Sequence, residues 1–205
     1  MYLQIIDSKK LLMRYNDLKR IKKLYFNYQD IARVLSISEA SARVMTSRYV
    51  KKNYLIRLKN NYYIFKEKWD NLDYREKMEV ANIIQVPSYI SLMTALSYYE
   101  ITTQVQQNYF ESISVYRTFS KDVNGTTFNY SKIQQLYYFG FKKEKGIFIA
   151  LTEKALIDSL YLTYRGKYNL DISSIDLKKI DQNKIDKLLQ IYSDKFTNYV
   201  NRIFK

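Results

Sequence analysis

The sequence predicts an α+β chain in two parts. A small N-terminal segment has three helices closed by a two-stranded hairpin. A larger mixed α/β part follows, with short strands and a long C-terminal helix. Three observations carry this reading. Apolar residues recur at helical spacing in the first third and again near the C-terminus. Aromatic and branched runs, bounded by Asn and Gly turn signals, lie between them. The charge is also split: residues 1–68 hold 16 Lys/Arg and 5 Asp/Glu, a net +11 of the chain's +14, whereas residues 69–205 hold 18 and 15.

Residues 8–25 read as a first helix, with Leu11, Leu12, Tyr15, Leu18, Ile21 and Leu24 or Tyr25 near helical spacing. Asn27 is a cap for a second helix through Leu35, with Ile31, Ala32 and Leu35 inward. Ser36, Ile37 and Ser38 form a tight connection, and Ser38 caps a third helix over residues 39–52. Ala42, Met45, Thr46, Tyr49 and Val50 share one face of it; Ala40, Arg43, Val44, Ser47 and Lys51 share the other. Asn53 can take the left-handed conformation that ends a helix. Tyr54–Leu58 and Tyr62–Phe65 then read as strands, joined by Lys59, Asn60 and Asn61. Lys66–Asp73 is polar, lies where the charge changes, and is the candidate linker between a domain at 1–68 and one at 74–205.

Beyond the linker, 74–86 and 88–99 read as helices separated at Pro87. Short strands are expected at Tyr109–Tyr116, Thr126–Tyr130, Tyr137–Phe141 and Ile147–Ala150, with turns at Asn124-Gly125 and Lys145-Gly146. Thr152 is expected to cap a helix to about Tyr164, with Glu153 in its first turn. Residues 181–203 read as one long amphipathic helix with Ile185, Leu188, Leu189, Tyr192, Phe196, Tyr199, Val200 and Ile203 on its apolar face.

Three helices followed by a two-stranded hairpin is the order of a winged helix-turn-helix, and the local charge suits a polyanion. A Lys-, Asn-, Ile- and Tyr-rich composition would by itself spread the charge along the chain. A helix that enters the DNA major groove needs short polar groups and cations on its exposed face, and Ser38, Ser41, Arg43, Ser47, Arg48 and Lys51 provide them. Arg43 is the candidate base contact, because its planar fork matches guanine O6 and N7. The three serines suit phosphates or base edges, with capping as the bland role of Ser38 and a surface ion pair as that of Arg48. Lys51, Lys52, Arg57 and Lys59 suit phosphates along the groove and under the hairpin, and Asn60 and Asn61 at its tip suit a minor groove.

Composition closes several functional classes. There is no Cys and no His, so disulfides, Cys-based zinc sites and Ser-His or Cys-His catalysis are excluded. The charged N-terminus does not read as a signal peptide, and no apolar run approaches the ~20 residues that span a bilayer; the expectation is a cytoplasmic protein without a membrane role. With four glycines there is no P-loop or dinucleotide fingerprint, and no cofactor is expected. A restriction-type nuclease needs Glu-x-Lys, which the chain lacks, so no enzyme activity is expected. Glu153, Lys154 and Asp158 read as helix-start and surface or interdomain polar residues. The tyrosines at 89, 98, 99, 109, 116, 130, 137 and 138 could form a nucleic-acid stacking strip, but core packing is the better reading.

The chain resembles the AbiEi antitoxin family of bacterial abortive-infection operons. In the first third the similar residues are Ile31-Ala32, Ser36–Ser38, Ala42-Arg43 and Arg48–Leu58, with Asn53 and Asn61 where the family commonly has Gly. Downstream they are Pro87–Ser91, Ala95–Tyr99, Gly125-Thr126, Phe128, Tyr130, Phe139–Phe141, Ile149-Ala150 and Glu153–Asp158, with Thr152 in place of a proline. The resemblance implies a winged helix on promoter inverted repeats that represses the operon. It also implies a C-terminal domain that counteracts a nucleotidyltransferase-like toxin without a stable complex. The alternative is a ligand-responsive winged-helix regulator with no toxin partner, although no convergent polar cluster marks a pocket.

Overall fold

The computed structural model describes residues 14–204; positions 8–13 of the first predicted helix lie outside them. The fold is mixed α+β and divides into two compact units, the first ending at Glu76 and the second beginning at Lys77.

In the first unit, α1 covers residues 14–18, α2 is Tyr28–Leu35 and α3 is Glu39–Lys51. The first helix does not run to 25 as its spacing predicts. The Ile21 amide bonds the Leu18 carbonyl (2.8 Å) in a tight turn, and Phe26 then pairs with Tyr63 through two backbone hydrogen bonds (2.9 and 2.8 Å). A continuous helix could not present the Phe26 backbone to a strand, so this tertiary pairing overrides the local period.

The other N-terminal elements follow local chemistry. Asn27 and Asp30 form a reciprocal capping box at the start of α2. Ser38 caps α3 by accepting from the Ser41 amide, and Asn53 ends that helix at φ 58°. Strands β1 (Leu55–Lys59) and β2 (Tyr62–Phe65) pair antiparallel around the two-residue turn Asn60-Asn61. Leu18, Phe26, Ile31, Ala42, Tyr49, Leu55 and Phe65 form the shared core.

Lys66–Asp73 is not an extended linker. Lys66–Trp69 forms the short helix α4, Trp69 is buried, and Asp73 with Glu76 makes a second capping box for α5 (Tyr74–Ile84). Its polar composition reflects an exposed face, while the single tryptophan supplies the buried one.

The second unit is built on a six-stranded sheet in the order β5-β6-β4-β3-β8-β7. The strands are β3 (Ser88–Ile90), β4 (Tyr109–Ser114), β5 (Phe119–Val123), β6 (Thr126–Lys132), β7 (Phe141–Glu144) and β8 (Ile147–Ala150). The predicted helix 88–99 is therefore corrected. Its first residues are a central strand, antiparallel to β4 and parallel to β8, and helix α6 is confined to Leu92–Tyr98. A three-residue strand buried throughout shows no alternation that could distinguish it from a helix.

Strand β5 has no counterpart among the strands the sequence predicts, and Tyr137–Phe141 is not a strand: Gln135–Tyr137 is a short 3-10 turn and β7 begins at Phe141. The Asn124-Gly125 and Lys145-Gly146 turns join β5 to β6 and β7 to β8, all four residues at positive φ.

Helix α7 is Thr152–Tyr164. Thr152 is its first helical residue and makes no cap bond; Leu151 holds the cap position. That first position is the one proline favours. The predicted helix 181–203 is two helices, α8 (Gln182–Leu189) and α9 (Asp194–Ile203). A tight turn with Tyr192 N donating to Leu189 O (2.9 Å) separates them. The break lets both halves pack on α7, and Ile185, Leu189, Tyr192, Phe196 and Val200 all remain buried. Core packing holds for only part of the tyrosine strip: Tyr89 and Tyr130 are fully buried, Tyr98, Tyr99, Tyr109, Tyr137 and Tyr138 are half-buried, and Tyr116 is 62% exposed.

Candidate nucleic-acid interface

The two faces of α3 separate cleanly. Ala42, Met45, Thr46 and Tyr49 are buried, which fixes the helix on the core and turns Ser41, Arg43, Val44, Ser47, Arg48 and Lys51 outward, all exposed. Lys52, at the helix end, and Arg57 and Asn60, on the hairpin, are exposed as well; Lys59 and Asn61 are half-buried.

Ion pairing sorts the cations of this unit. Lys19 pairs with Glu67, Arg20 with Asp17, Lys23 and Arg33 with Asp30, Lys66 with Asp70, and Lys68 with Glu76. Arg43, Arg48, Lys51, Lys52, Arg57 and Lys59 have no carboxylate partner among the described residues. Arg14 and Lys22 share that state. Among the described residues, positive charge on α3 and the hairpin thus has no paired carboxylate, the arrangement that attracts an external polyanion.

Several predicted residues have specific internal partners. Ser38 spends its hydroxyl on the helix: its Oγ accepts from the Ser41 amide (3.2 Å) and donates to Ser41 Oγ (2.9 Å). Arg43 lies over the Tyr28 ring, 4.3 Å from its centroid, and donates to the Tyr28 hydroxyl. Arg57 donates to Asn60 Oδ1 (3.0 Å), bracing the turn. The Lys59 ammonium sits 4.7 Å over the Tyr62 ring, and partial burial lowers its pKa.

Asn61 turns back rather than outward. Its Oδ1 accepts from the Tyr28 amide (3.1 Å) and its Nδ2 donates to Gln29 Oε1 (3.0 Å). Asn60 alone is left at the exposed tip. No local signal in the sequence marks Tyr28 and Gln29, because they reach Arg43 and Asn61 from 15 and 32 positions away.

The second unit holds a buried polar group among the residues that the sequence predicts as helix-start and surface or interdomain polar positions. Lys154 and Asp158, one helical turn apart on α7, are 0% and 1% exposed and form an ion pair. Asp158 Oδ2 also accepts from Ser91 Oγ (2.8 Å) and Tyr89 OH (3.0 Å). Burial pushes the Asp158 carboxyl up and the Lys154 ammonium down, while their attraction opposes both. Glu153 is buried too, with Lys184 Nζ at 3.4 Å from its Oε1.

Gly140 makes room for this group. It has φ +72°, and a Cβ there would lie 3.0 Å from Lys154 Cγ. Gly140→Ala is expected to cost about 1–2 kcal/mol from the backbone conformation alone. A urea midpoint equal to the parent's would show that the loop relaxes.

No trio of carboxylates among the described residues could hold a metal ion. No helix among them is long and apolar enough to cross a membrane. Comparison with known proteins returns no matching family model, no matching curated protein and no matching solved structure.

Proposed function

We propose that this chain is a DNA-binding transcriptional repressor whose first unit is a winged helix-turn-helix. In this reading α2 and α3 are the helix-turn-helix, α3 is the recognition helix and the β1–β2 hairpin is the wing. The observation that carries it is the sorting of charge. Among the described residues of the first unit, cations away from α3 and the hairpin are mostly paired with carboxylates, whereas the six on or beside those elements are not. Lys51, Lys52 and Lys59 then serve phosphates, and Arg43 reads a base edge. Promoter inverted repeats would be filled by two copies, one on each half-site.

Within that reading the chain acts as an antitoxin of the AbiEi type, its second unit counteracting a nucleotidyltransferase-like toxin without a stable complex. The residues from Pro87 to Asp158 that resemble the family support this role. No catalytic function is assigned to it.

Duplex binding by the full chain tests the DNA reading. Arg43→Ala should weaken binding to the preferred site by about 1–3 kcal/mol and spare random duplex. Lys51→Ala should weaken both alike and reduce the slope of log K against log salt by about one. A parent affinity that ignores salt would overturn the assignment. Rescue of growth on co-expression with a nucleotidyltransferase-like toxin, should one be encoded beside this chain, tests the antitoxin role.

A further inference from the structure

We propose that Tyr28 is the positioning residue for base recognition: it holds the Arg43 guanidinium in one orientation and ties it to the hairpin turn. This rests on the DNA-binding reading above. Reading a guanine edge needs two N–H groups presented in one plane. An exposed arginine free in solvent samples many rotamers, so the plane must be set by something else. Here the Tyr28 ring sets it. The guanidinium carbon lies over the ring, 4.3 Å from its centroid, and one nitrogen donates to the ring's own hydroxyl, two contacts that together restrict its orientation. A guanidinium has five N–H donors; the hydrogen bond to the Tyr28 hydroxyl uses one and leaves the others for a ligand. No carboxylate among the described residues competes for them.

Tyr28 is in turn held by the hairpin. It is the first residue of α2, and its amide, which has no partner within the helix, donates to Asn61 Oδ1 (3.1 Å). The Asn61 amide donates to Gln29 Oε1 (3.0 Å), and Asn61 itself sits at φ 59° in the turn. One connected set of contacts therefore runs from the hairpin turn through the start of α2 to Arg43 on α3. Any ligand that seats the hairpin in one groove also fixes the plane of Arg43 in the next.

The test is selection from a random duplex pool with the full chain and with Arg43→Ala, Tyr28→Ala, Tyr28→Phe and the Arg43→Ala/Tyr28→Ala pair. The parent should enrich a motif with one invariant guanine in each half-site. Arg43→Ala should lose that preference. Tyr28→Ala should lower discrimination at the same base roughly tenfold. Tyr28→Phe, which keeps the stack, should lose less, and the double variant should discriminate no worse than Arg43→Ala alone. Trp69 fluorescence on thermal unfolding checks that each variant folds, because Trp69 is buried in the same unit; Tyr28→Phe carries the test if Tyr28→Ala does not fold.

Equal loss on motif and random duplex, or losses that add to those of Arg43→Ala, would mean that Tyr28 touches phosphate itself and would overturn the proposal. An unchanged preference in Tyr28→Ala would overturn it while leaving the DNA reading intact. A parent that enriches no motif would overturn both.

Discussion

Replacing Lys154 by methionine should destabilise the second unit by about 3–5 kcal/mol, the usual cost of leaving one charge of a buried pair alone. Methionine keeps most of the lysine stem, so the loss isolates the charge from the packing. Asp158 would retain the Ser91 and Tyr89 hydroxyls but face them without a counter-charge, at a site only 1% exposed. Asp158→Asn should cost a comparable amount by stranding the ammonium. The double variant Lys154→Met/Asp158→Asn removes both charges and still offers the hydroxyls a carbonyl acceptor. It should recover most of the loss. Urea titration of the full chain, followed by circular dichroism and by hydrogen exchange at α7, measures all three. Losses that simply add in the double variant would locate the cost in packing instead of charge.

Stability should fall between about pH 4.5 and about pH 7 through Glu111. This residue is 1% exposed on β4. Its Oε2 accepts from the Met93 amide (3.1 Å) and the Tyr168 hydroxyl (3.1 Å), yet burial outweighs both bonds and pushes its pKa from 4.5 up to about 7. A raised carboxyl pKa means that the folded state holds its proton where the unfolded chain has lost it. The contribution is complete below pH 4.5 and is lost as pH rises through 7, with a span of about 3 kcal/mol. Glu111→Gln keeps an acceptor and cannot ionise. It should flatten this window and exceed the parent in stability at about pH 8. Parallel pH profiles of parent and variant in urea titrations would show that Glu111 ionises as an ordinary carboxylate.

Local chemistry was legible wherever the deciding atoms lie a few residues apart. The Asn27 and Ser38 caps, the left-handed Asn53, the Asn60-Asn61 turn and the two glycine hairpins each depend on partners within one turn of chain. The buried and exposed faces of α3 follow from its 3.6-residue period in the same way. Periodicity failed where a distant strand or helix chose the outcome. Phe26 leaves the helical pattern to pair with Tyr63, and Ser88–Ile90 becomes a central strand through β4 and β8. The Lys154–Asp158 spacing was visible, but its burial was not, because burial depends on Tyr89 and Ser91, 69 and 67 residues away from Asp158.

By itself, then, the sequence determined the α+β class, the caps and turns, the concentration of positive charge in the first third and the outward face of α3. Each is a sum over neighbours in the chain. Only the tertiary structure decided that Tyr28 takes up Arg43, that Asn61 folds back onto α2, and that the Lys154–Asp158 ion pair is buried inside the second unit. Those outcomes depend on atoms brought together across 15 to 69 residues, and a helical or strand period carries no information at that range.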